Sequence, residues 1–217
     1  MLVRDYMTRH PVMVEPSISV VEAQGIMAEA QVRHLPVIKE GKRLVGLLTR
    51  EGLRIPPTDL GSLNVWEISR FLSHLKVQDV MVQGKDVITI SPDATVEEAA
   101  QTMADRRIGS LPVLEEGIVV GILTEVDLLI QLSRLLGAGV KGVRATVRVP
   151  DEVGEFAKIT SAIASEGWGI YSGGGVPAPK HPGYWDMVVK VRNVKKDEIA
   201  KVLEQIEGQE LIDVRDM

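Results

Sequence analysis

The stretch "GLLTREG", residues 46–52, returns as "GILTEVD" at residues 121–127. Both copies begin with glycine, continue with two apolar residues and threonine, and then differ, because the first ends on glycine and the second on aspartate. The match extends on both sides, so that residues 3–53 align with residues 77–128. An internal duplication therefore organises the first two thirds of the 217-residue chain.

Each copy predicts the same order of elements, β-α-β-β-α. A short apolar run predicts the first strand, Val12–Val14 in one copy and Val87–Ile90 in the other. A capping pair then predicts the start of a helix, Ser19 with Glu22 and Thr95 with Glu98. Two more strands joined by a tight glycine turn follow, and a second helix begins after the threonine. One such unit buries little surface alone, so the two copies are expected to pack together.

A different segment, "RIPPTDLGSLNVWEISRFLSHLK", separates the two copies. Its apolar residues recur at helical spacing, which predicts an amphipathic linker helix over residues 56–76. The first repeat then covers residues 1–55 and the second covers residues 77–136.

The threonine and aspartate of the second copy suit a ligand site. Thr124 ends a predicted strand and opens a helix, and free N–H groups at such a place favour an anion. Asp127 lies three residues on, and its carboxylate has enough acceptor sites to hold two ribose hydroxyls. The alternative is that the two side chains only cap the helix, which would explain both residues.

Two β-α-β-β-α units that each end in Gly-apolar-apolar-Thr resemble a tandem pair of CBS domains. This resemblance, over residues 1 to about 136, implies a pseudo-two-fold module that commonly dimerises and binds adenine nucleotides in clefts between the repeats. The residues that it assigns to one site come from both repeats: Ile122, Thr124 and Asp127 from the second, and Val14, Val20 and Val32 around the base from the first.

The resemblance also places Arg33 and His34 where nucleotide-binding CBS proteins contact phosphate. An arginine fork pairs well with phosphate. A solvated charge at a helix end and a packed loop histidine are the alternative explanations for these two residues.

The second site of the pair would use Leu47 and Thr49, with Gly109 from the opposite repeat. Gly52 stands there in the place that Asp127 takes in the first site. Because glycine cannot hold ribose hydroxyls, we expect one competent site and one weak or empty site per chain.

The segment "LLGAGVKGVRA" separates the duplicated region from the rest of the chain. Its glycines, Gly137, Gly139 and Gly142, have the G-x-G-x-x-G spacing of a dinucleotide-binding loop. Such a loop follows a strand and opens a helix, whereas here a helix is predicted before it and a strand after it. We interpret residues 137–142 as a helix stop and a linker.

Residues 143–217 predict β-α-β-β-α-β, the order of a ferredoxin-like domain. The segment "PDEVGEF" resembles the opening of an ACT domain, in which an Asp-x-x-Gly turn, here Asp151 and Gly154, leads into the first helix. The resemblance implies amino-acid binding near that turn or a purely dimerising role. The stretch "SGGGVPAPKHPGYW" predicts a lid or a mobile hairpin tip.

The composition narrows the function classes. A net charge of -5, without a long basic run, argues against nucleic acid and anionic membrane as partners. No apolar run has the length of a membrane span. The absence of cysteine excludes disulfides and thiolate sites and fits a cytoplasmic protein. The four histidines lack metal-ligand spacing and catalytic motifs are missing, so we expect neither a metal site nor an enzyme.

Along its whole length the chain resembles the acetoin-utilisation (AcuB-type) proteins, in which a CBS pair precedes an ACT-like domain. We therefore expect an α+β homodimer that senses an adenosyl ligand, namely AMP, ADP, ATP or S-adenosylmethionine, without an obligatory cofactor. It would signal through rearrangement of the dimer or the ACT-like domain to an unidentified partner protein. The alternative is an amino-acid-binding or purely scaffolding dimer that binds no nucleotide.

Overall fold

The computed structural model describes residues 1–53 and 74–217, and the chain has an α+β fold. It divides into two compact units, Met1–Leu128 and Leu129–Met217. The linker helix predicted over residues 56–76 lies outside the described residues, apart from its last three positions. The second helix predicted after Thr49 is described only over residues 50–53, which form turns, and its remainder lies outside the described residues.

The first unit contains two copies of a β-hairpin preceded by a helix. Its elements are α1 (Val3–Tyr6), β1 (Thr8–Arg9), α2 (Val20–Glu29), β2 (His34–Lys39), β3 (Arg43–Thr49), α3 (Val77–Val80), β4 (Val82–Gln83), α4 (Val96–Arg106), β5 (Ser110–Glu115) and β6 (Ile118–Thr124). Helix α5 (Glu125–Leu135) follows β6 directly and continues into the second unit. The first helix and the hairpin predicted for each repeat are confirmed, and so is the second helix predicted after Thr124.

The two repeats exchange short strands. Strand β1, which precedes the first repeat's helix, pairs with β6 of the second repeat, and β4 pairs with β3 of the first. The exchange explains why a methionine and a glycine recur at matching positions of the two repeats. Met7 lies against Gly121, and Met81 lies against Gly46, in space that a Cβ on either glycine would occupy.

The strands predicted at Val12–Val14 and Val87–Ile90 are wrong. Only one residue of each run pairs with a strand, Val14 with Val37 and Ile90 with Val113, and both bridges are parallel and isolated. Val14 is 5% exposed and belongs to the apolar core of the first repeat. Val14 and Ile90 are apolar because they pack in the cores and not because they form a ladder, a difference that short apolar runs do not reveal.

The helix starts form as their capping pairs predict. Thr95 and Glu98 exchange hydrogen bonds in both directions, with Thr95 N donating to Glu98 Oε2 at 2.8 Å and Glu98 N donating to Thr95 Oγ1 at 3.1 Å. In the first repeat only the bond from Glu22 N to Ser19 Oγ is present, at 3.1 Å. The apolar residues after both caps are buried: Val20, Ala23 and Met27 in α2, and Val96, Ala99 and Met103 in α4.

The second unit is a four-stranded antiparallel sheet with two helices. Its elements are β7 (Val143–Pro150), α6 (Glu155–Ser165), β8 (Ile170–Pro177), β9 (Tyr184–Val191), α7 (Lys196–Glu204) and β10 (Glu210–Asp216). The strand order β10-β7-β9-β8 and the β-α-β-β-α-β sequence of elements are ferredoxin-like, as predicted. Alternate residues of β7 and β9 form the core with one face of each helix.

The glycine-rich stretch of the second unit differs from the prediction of a long loop. Gly173–Gly175 belong to β8 and pair with β9, so the connection shortens to residues 178–183. Gly175 lies against the Met187 side chain and leaves no room for a Cβ. Gly175 therefore permits close packing within a strand. The glycine stop after α5 is confirmed, since Gly137 has a φ of 71°.

Candidate functional site

A cleft of about 830 Å³ opens between the two repeats of the first unit. Residues at the ends of β3 and β6 line it together with residues from the other repeat. The lining includes Ile122, Thr124 and Asp127 from the second repeat and Val32, Arg33, His34, Leu47 and Thr49 from the first. Both sites that the sequence predicts thus open into one continuous cleft.

Thr124 and Asp127 hold each other at the start of α5. Thr124 donates to Asp127 Oδ2 from its backbone N at 2.8 Å and from Oγ1 at 2.7 Å. Asp127 N in turn lies 3.4 Å from Thr124 Oγ1. The helix-capping interpretation of this pair is therefore correct. Both bonds from Thr124 use one carboxylate oxygen, and Oδ1 accepts no hydrogen bond from the described part of the chain.

The matching turn of the first repeat forms without a carboxylate. Gly52 N donates to Thr49 Oγ1 at 3.0 Å, the counterpart of the bond between Asp127 and Thr124. Thr49 and Leu47 line the cleft, and so does Gly109 from the opposite repeat. The two halves of the cleft therefore share a backbone turn and a threonine but differ in the acidic side chain.

Two residues predicted around the base do not line the cleft. Val14 and Val20 are 5% and 1% exposed and lie in the core of the first repeat. Segments that the two repeats exchange line the cleft where Val14 and Val20 were expected. Thr8 pairs with Ile122, and this register brings Pro11 and Val12 into the lining.

The corresponding segment of the second repeat also lines the cleft. Val82 pairs with Leu47, and Val87 and Ile88 follow it into the lining. Sequence reasoning missed both segments because it treated each repeat as a closed unit. The sequence signal that could have revealed the exchange is that both repeats keep a methionine, Met7 and Met81, and a glycine, Gly46 and Gly121. In the structure each glycine contacts the methionine of the other repeat.

The centre of the cleft is polar. His34 and Glu125 meet there beside Gly109: from the point that a Cβ on Gly109 would occupy, His34 Cε1 is 3.5 Å away and Glu125 Oε2 is 3.4 Å away. Burial lowers the pKa of His34 below its ordinary value; of its charged neighbours, Glu51 and Glu125 raise that pKa and Arg33 lowers it. Because the net effect lowers the pKa, the imidazole is neutral at pH 7.

The predicted amino-acid turn lies in the second unit. Asp151 precedes it, Gly154 has a φ of 97°, and Val153 between them is fully exposed. Helix α6 begins at Glu155, whose side chain is buried and accepts hydrogen bonds from Lys158 and Gln209. The turn is thus exposed, and the Glu155 carboxylate that follows it already has hydrogen-bond partners within the protein.

Two further findings concern the described residues only. No group of three or more His, Asp or Glu side chains among them is placed to hold a metal ion. None of their helices is long and apolar enough to cross a membrane.

Comparison with known proteins identifies the duplicated region. The family model of the CBS domain matches residues 3–54 and 77–134. Among solved structures, a Vibrio cholerae protein assigned to acetoin utilization (AcuB) is 29% identical, with a TM-score of 0.52, over 63% of this chain and 93% of its own.

Two similar structures contain adenosyl ligands. CBSX2 in complex with AMP is 26% identical, with a TM-score of 0.52, over 61% of this chain and 97% of its own. The CBS domain pair of protein MJ0100, in complex with methylthioadenosine and S-adenosyl-L-methionine, is 26% identical, with a TM-score of 0.50, over 61% of this chain and 99% of its own.

The matched curated proteins are longer. An L-aspartate semialdehyde sulfurtransferase of Methanocaldococcus jannaschii is 30% identical over 63% of this chain and 23% of its own length. The chain thus spans about a quarter of the length of the curated relatives that it matches.

Proposed function

The chain belongs to the CBS domain family, and from this membership we propose that it is a non-catalytic regulatory protein that binds an adenosyl ligand between its two repeats. The observation that carries the proposal is the Asp127 carboxylate at the wall of the cleft, fixed through one oxygen by Thr124. Its other oxygen has two lone pairs to accept the 2′ and 3′ hydroxyls of a ribose. Hydrogen bonds to a charged acceptor are among the stronger ones in proteins.

Similar CBS pairs support this choice of ligand. The structures of CBSX2 and of the MJ0100 pair contain AMP, methylthioadenosine or S-adenosyl-L-methionine, all of which carry an adenosine. In this chain the base would lie on the apolar lining that Pro11, Val12 and Ile122 provide near Asp127. The 5′ substituent would point towards Arg33 and His34 at the centre.

We assign one strong site per chain. The half of the cleft around Leu47 and Thr49 has the same turn, but Gly52 supplies no ribose acceptor. Binding there would depend on apolar contacts and on the backbone alone.

The test is isothermal titration calorimetry with adenosyl ligands, using variants that separate capping from binding. Asp127→Ala should lower the affinity about 100-fold, since two hydrogen bonds to a charged acceptor are lost. Asp127→Asn keeps an acceptor for Thr124 and should lose about tenfold.

The matched control is Glu98→Ala, which removes the same type of cap from α4 outside the cleft. Both alanine variants should lose about 1 kcal/mol of stability, but only Asp127→Ala should lose binding. Unchanged affinity in Asp127→Ala, or no binding of any adenosyl ligand to the wild type, would overturn the proposal.

We further propose a homodimer that passes ligand occupancy to a partner protein. Support comes from α5, which leaves several apolar side chains exposed: Val126, Leu129, Ile130, Leu132 and Leu135. Exposed apolar patches on a helix mark interaction surfaces. An ACT-type role for the second unit is part of this proposal and is supported by its ferredoxin-like strand order. Analytical ultracentrifugation with and without ligand tests it, and a monomer under both conditions would refute it.

A further inference from the structure

The cleft has more negative than positive side chains. Among the described residues, four carboxylates and two guanidinium groups line it: Glu51, Asp86, Glu125, Asp127, Arg33 and Arg107. Within the described part of the chain, no salt bridge joins any of these six groups to another residue. The neutral His34 adds no positive charge at pH 7. The described lining therefore carries a net negative charge, and concave walls strengthen the field of such a charge.

The carboxylates are not spread evenly. Glu51 and Glu125 both act electrostatically on His34, so they flank the centre from the two repeats. Gly109, beside Glu125 and His34, has no side chain, so no Cβ lies against Glu125 Oε2. Arg33 adjoins the same histidine. The centre thus offers two anionic groups and one cationic group to whatever extends from the ribose.

A buried hydroxyl lies in the same region. Ser110 is 2% exposed, lines the cleft, and its Oγ has no hydrogen-bond partner within the described residues. Ser110 pairs with Thr124 across β5 and β6, so the two side chains share a face of the sheet. A buried hydroxyl without a partner is costly, and such groups usually have a role. A polar ligand atom at the centre would satisfy it.

We propose that the cleft selects an adenosyl ligand whose 5′ substituent is zwitterionic with a net positive charge, the chemistry of a sulfonium amino acid, and disfavours 5′ polyphosphates. The proposal rests on the proposed function, since it takes Asp127 as the ribose anchor. Glu51 and Glu125 attract the sulfonium and the ammonium groups, and Arg33 attracts the carboxylate. The Ser110 hydroxyl completes the polar contacts.

The experiment titrates the full chain with a series of adenosine derivatives by calorimetry at low salt. S-adenosylmethionine and S-adenosylhomocysteine share the amino-acid tail and differ by the methyl group that makes sulfur positive. We expect S-adenosylmethionine to bind at least about fivefold more tightly than S-adenosylhomocysteine and than ATP, as partly solvated charge pairs would produce. The preference should shrink as salt is added.

Variants then locate the charge. Glu51→Gln and Glu125→Gln should each weaken the binding of S-adenosylmethionine, and at least one of them should reduce the ratio of the two affinities about threefold to fivefold. The affinity for S-adenosylhomocysteine should fall less, because that ligand keeps the ammonium group and lacks the sulfonium. Glu97→Gln, on α4 outside the cleft, is the matched control and should leave the ratio as it is. Ser110→Ala removes an unpaired buried hydroxyl, so it should weaken binding without lowering the melting temperature of the free protein.

The outcomes separate the two proposals. If AMP or ATP binds more tightly than S-adenosylmethionine and Asp127→Ala abolishes that binding, the proposed function stands and the preference for a cationic tail is wrong. If the ratio of affinities is the same in Glu51→Gln and Glu125→Gln as in the wild type, the carboxylates do not select the ligand. If no adenosine derivative binds, both proposals fail.

Discussion

Replacing Gly52 with aspartate should create a second ribose anchor in the cleft. The turn that begins at Thr49 already has the geometry that holds Asp127 in the other repeat, because Gly52 N donates to Thr49 Oγ1 at 3.0 Å. The φ of Gly52 is outside the left-handed region, so an L side chain causes no backbone strain there. The new carboxylate would lie three residues after Thr49, as Asp127 lies after Thr124.

The cost of the added side chain is small. A Cβ on Gly52 would lie 3.3 Å from Thr49 Oγ1 and 3.4 Å from Val80 O, so these atoms must give by a few tenths of an ångström. Tight packing of this kind costs roughly 1 kcal/mol. A hydrogen bond from Thr49 to the new carboxylate contributes about 1 kcal/mol, and losing a glycine stabilises the chain by about 0.4–1 kcal/mol through its unfolded state. The stability of Gly52→Asp should therefore stay within about 1 kcal/mol of the wild type.

Calorimetry measures the result as a stoichiometry. The wild type should bind one adenosyl ligand per chain with high affinity, and Gly52→Asp should bind two. Gly52→Ala is the matched control, since it adds the Cβ without the carboxylate and should still bind one. A wild type that binds two ligands equally would refute the asymmetry, and a folded Gly52→Asp variant that still binds one would refute the role given to the carboxylate.

Two more predictions concern packing and charge. Gly121→Ala pushes a Cβ into Met7 and should lower the free energy of unfolding by about 1–3 kcal/mol in a denaturant melt. The control is Gly25→Ala, whose Cβ meets nothing within 4 Å on an exposed helix face. It should instead raise the free energy of unfolding by about 0.5–1 kcal/mol. Hydrogen bonds, above all from Lys158, hold the pKa of Glu155 below its ordinary value of 4.5. A carboxylate with a lowered pKa stabilises the fold above that ordinary value and loses the effect as the pH falls through its folded-state pKa. The melting temperature of the wild type should thus fall more steeply below about pH 4.5 than that of Glu155→Gln, and parallel curves would contradict this.

Local patterns in the sequence predicted the elements of the fold well. The helix starting after Thr95 and the ferredoxin-like order of residues 143–217 follow from capping, periodicity and turn residues, which act over a few positions. The exchange of β1 and β4 between repeats was not predicted, because strand partners far apart in sequence leave no local pattern. The glycine-rich sequence of β8 wrongly predicted a loop. Glycine residues that suit a loop also permit close packing in a strand, here against Met187.

The residues predicted for the site divide in the same way. Thr124, Asp127 and Arg33 line the cleft, because a strand end and a helix start place their side chains directly. Val14 and Val20 were assigned to the base pocket from the resemblance to CBS pairs, but their apolar character equally suits the core, where they lie. The central carboxylates Glu51 and Glu125 escaped notice because their proximity depends on how the two repeats face each other.

The contrast between the two turns bears on why Asp127 is acidic. A helix cap alone would explain its bonds to Thr124. Yet the turn after Thr49 keeps its backbone bond with glycine in the corresponding place, so the turn does not require a carboxylate. Asp127 is half-buried at the wall of the cleft, directs one oxygen to Thr124 and leaves the other without a partner among the described residues. A ligand with paired hydroxyls would donate hydrogen bonds to that oxygen, which favours binding over capping as the reason that the second repeat alone carries the acid.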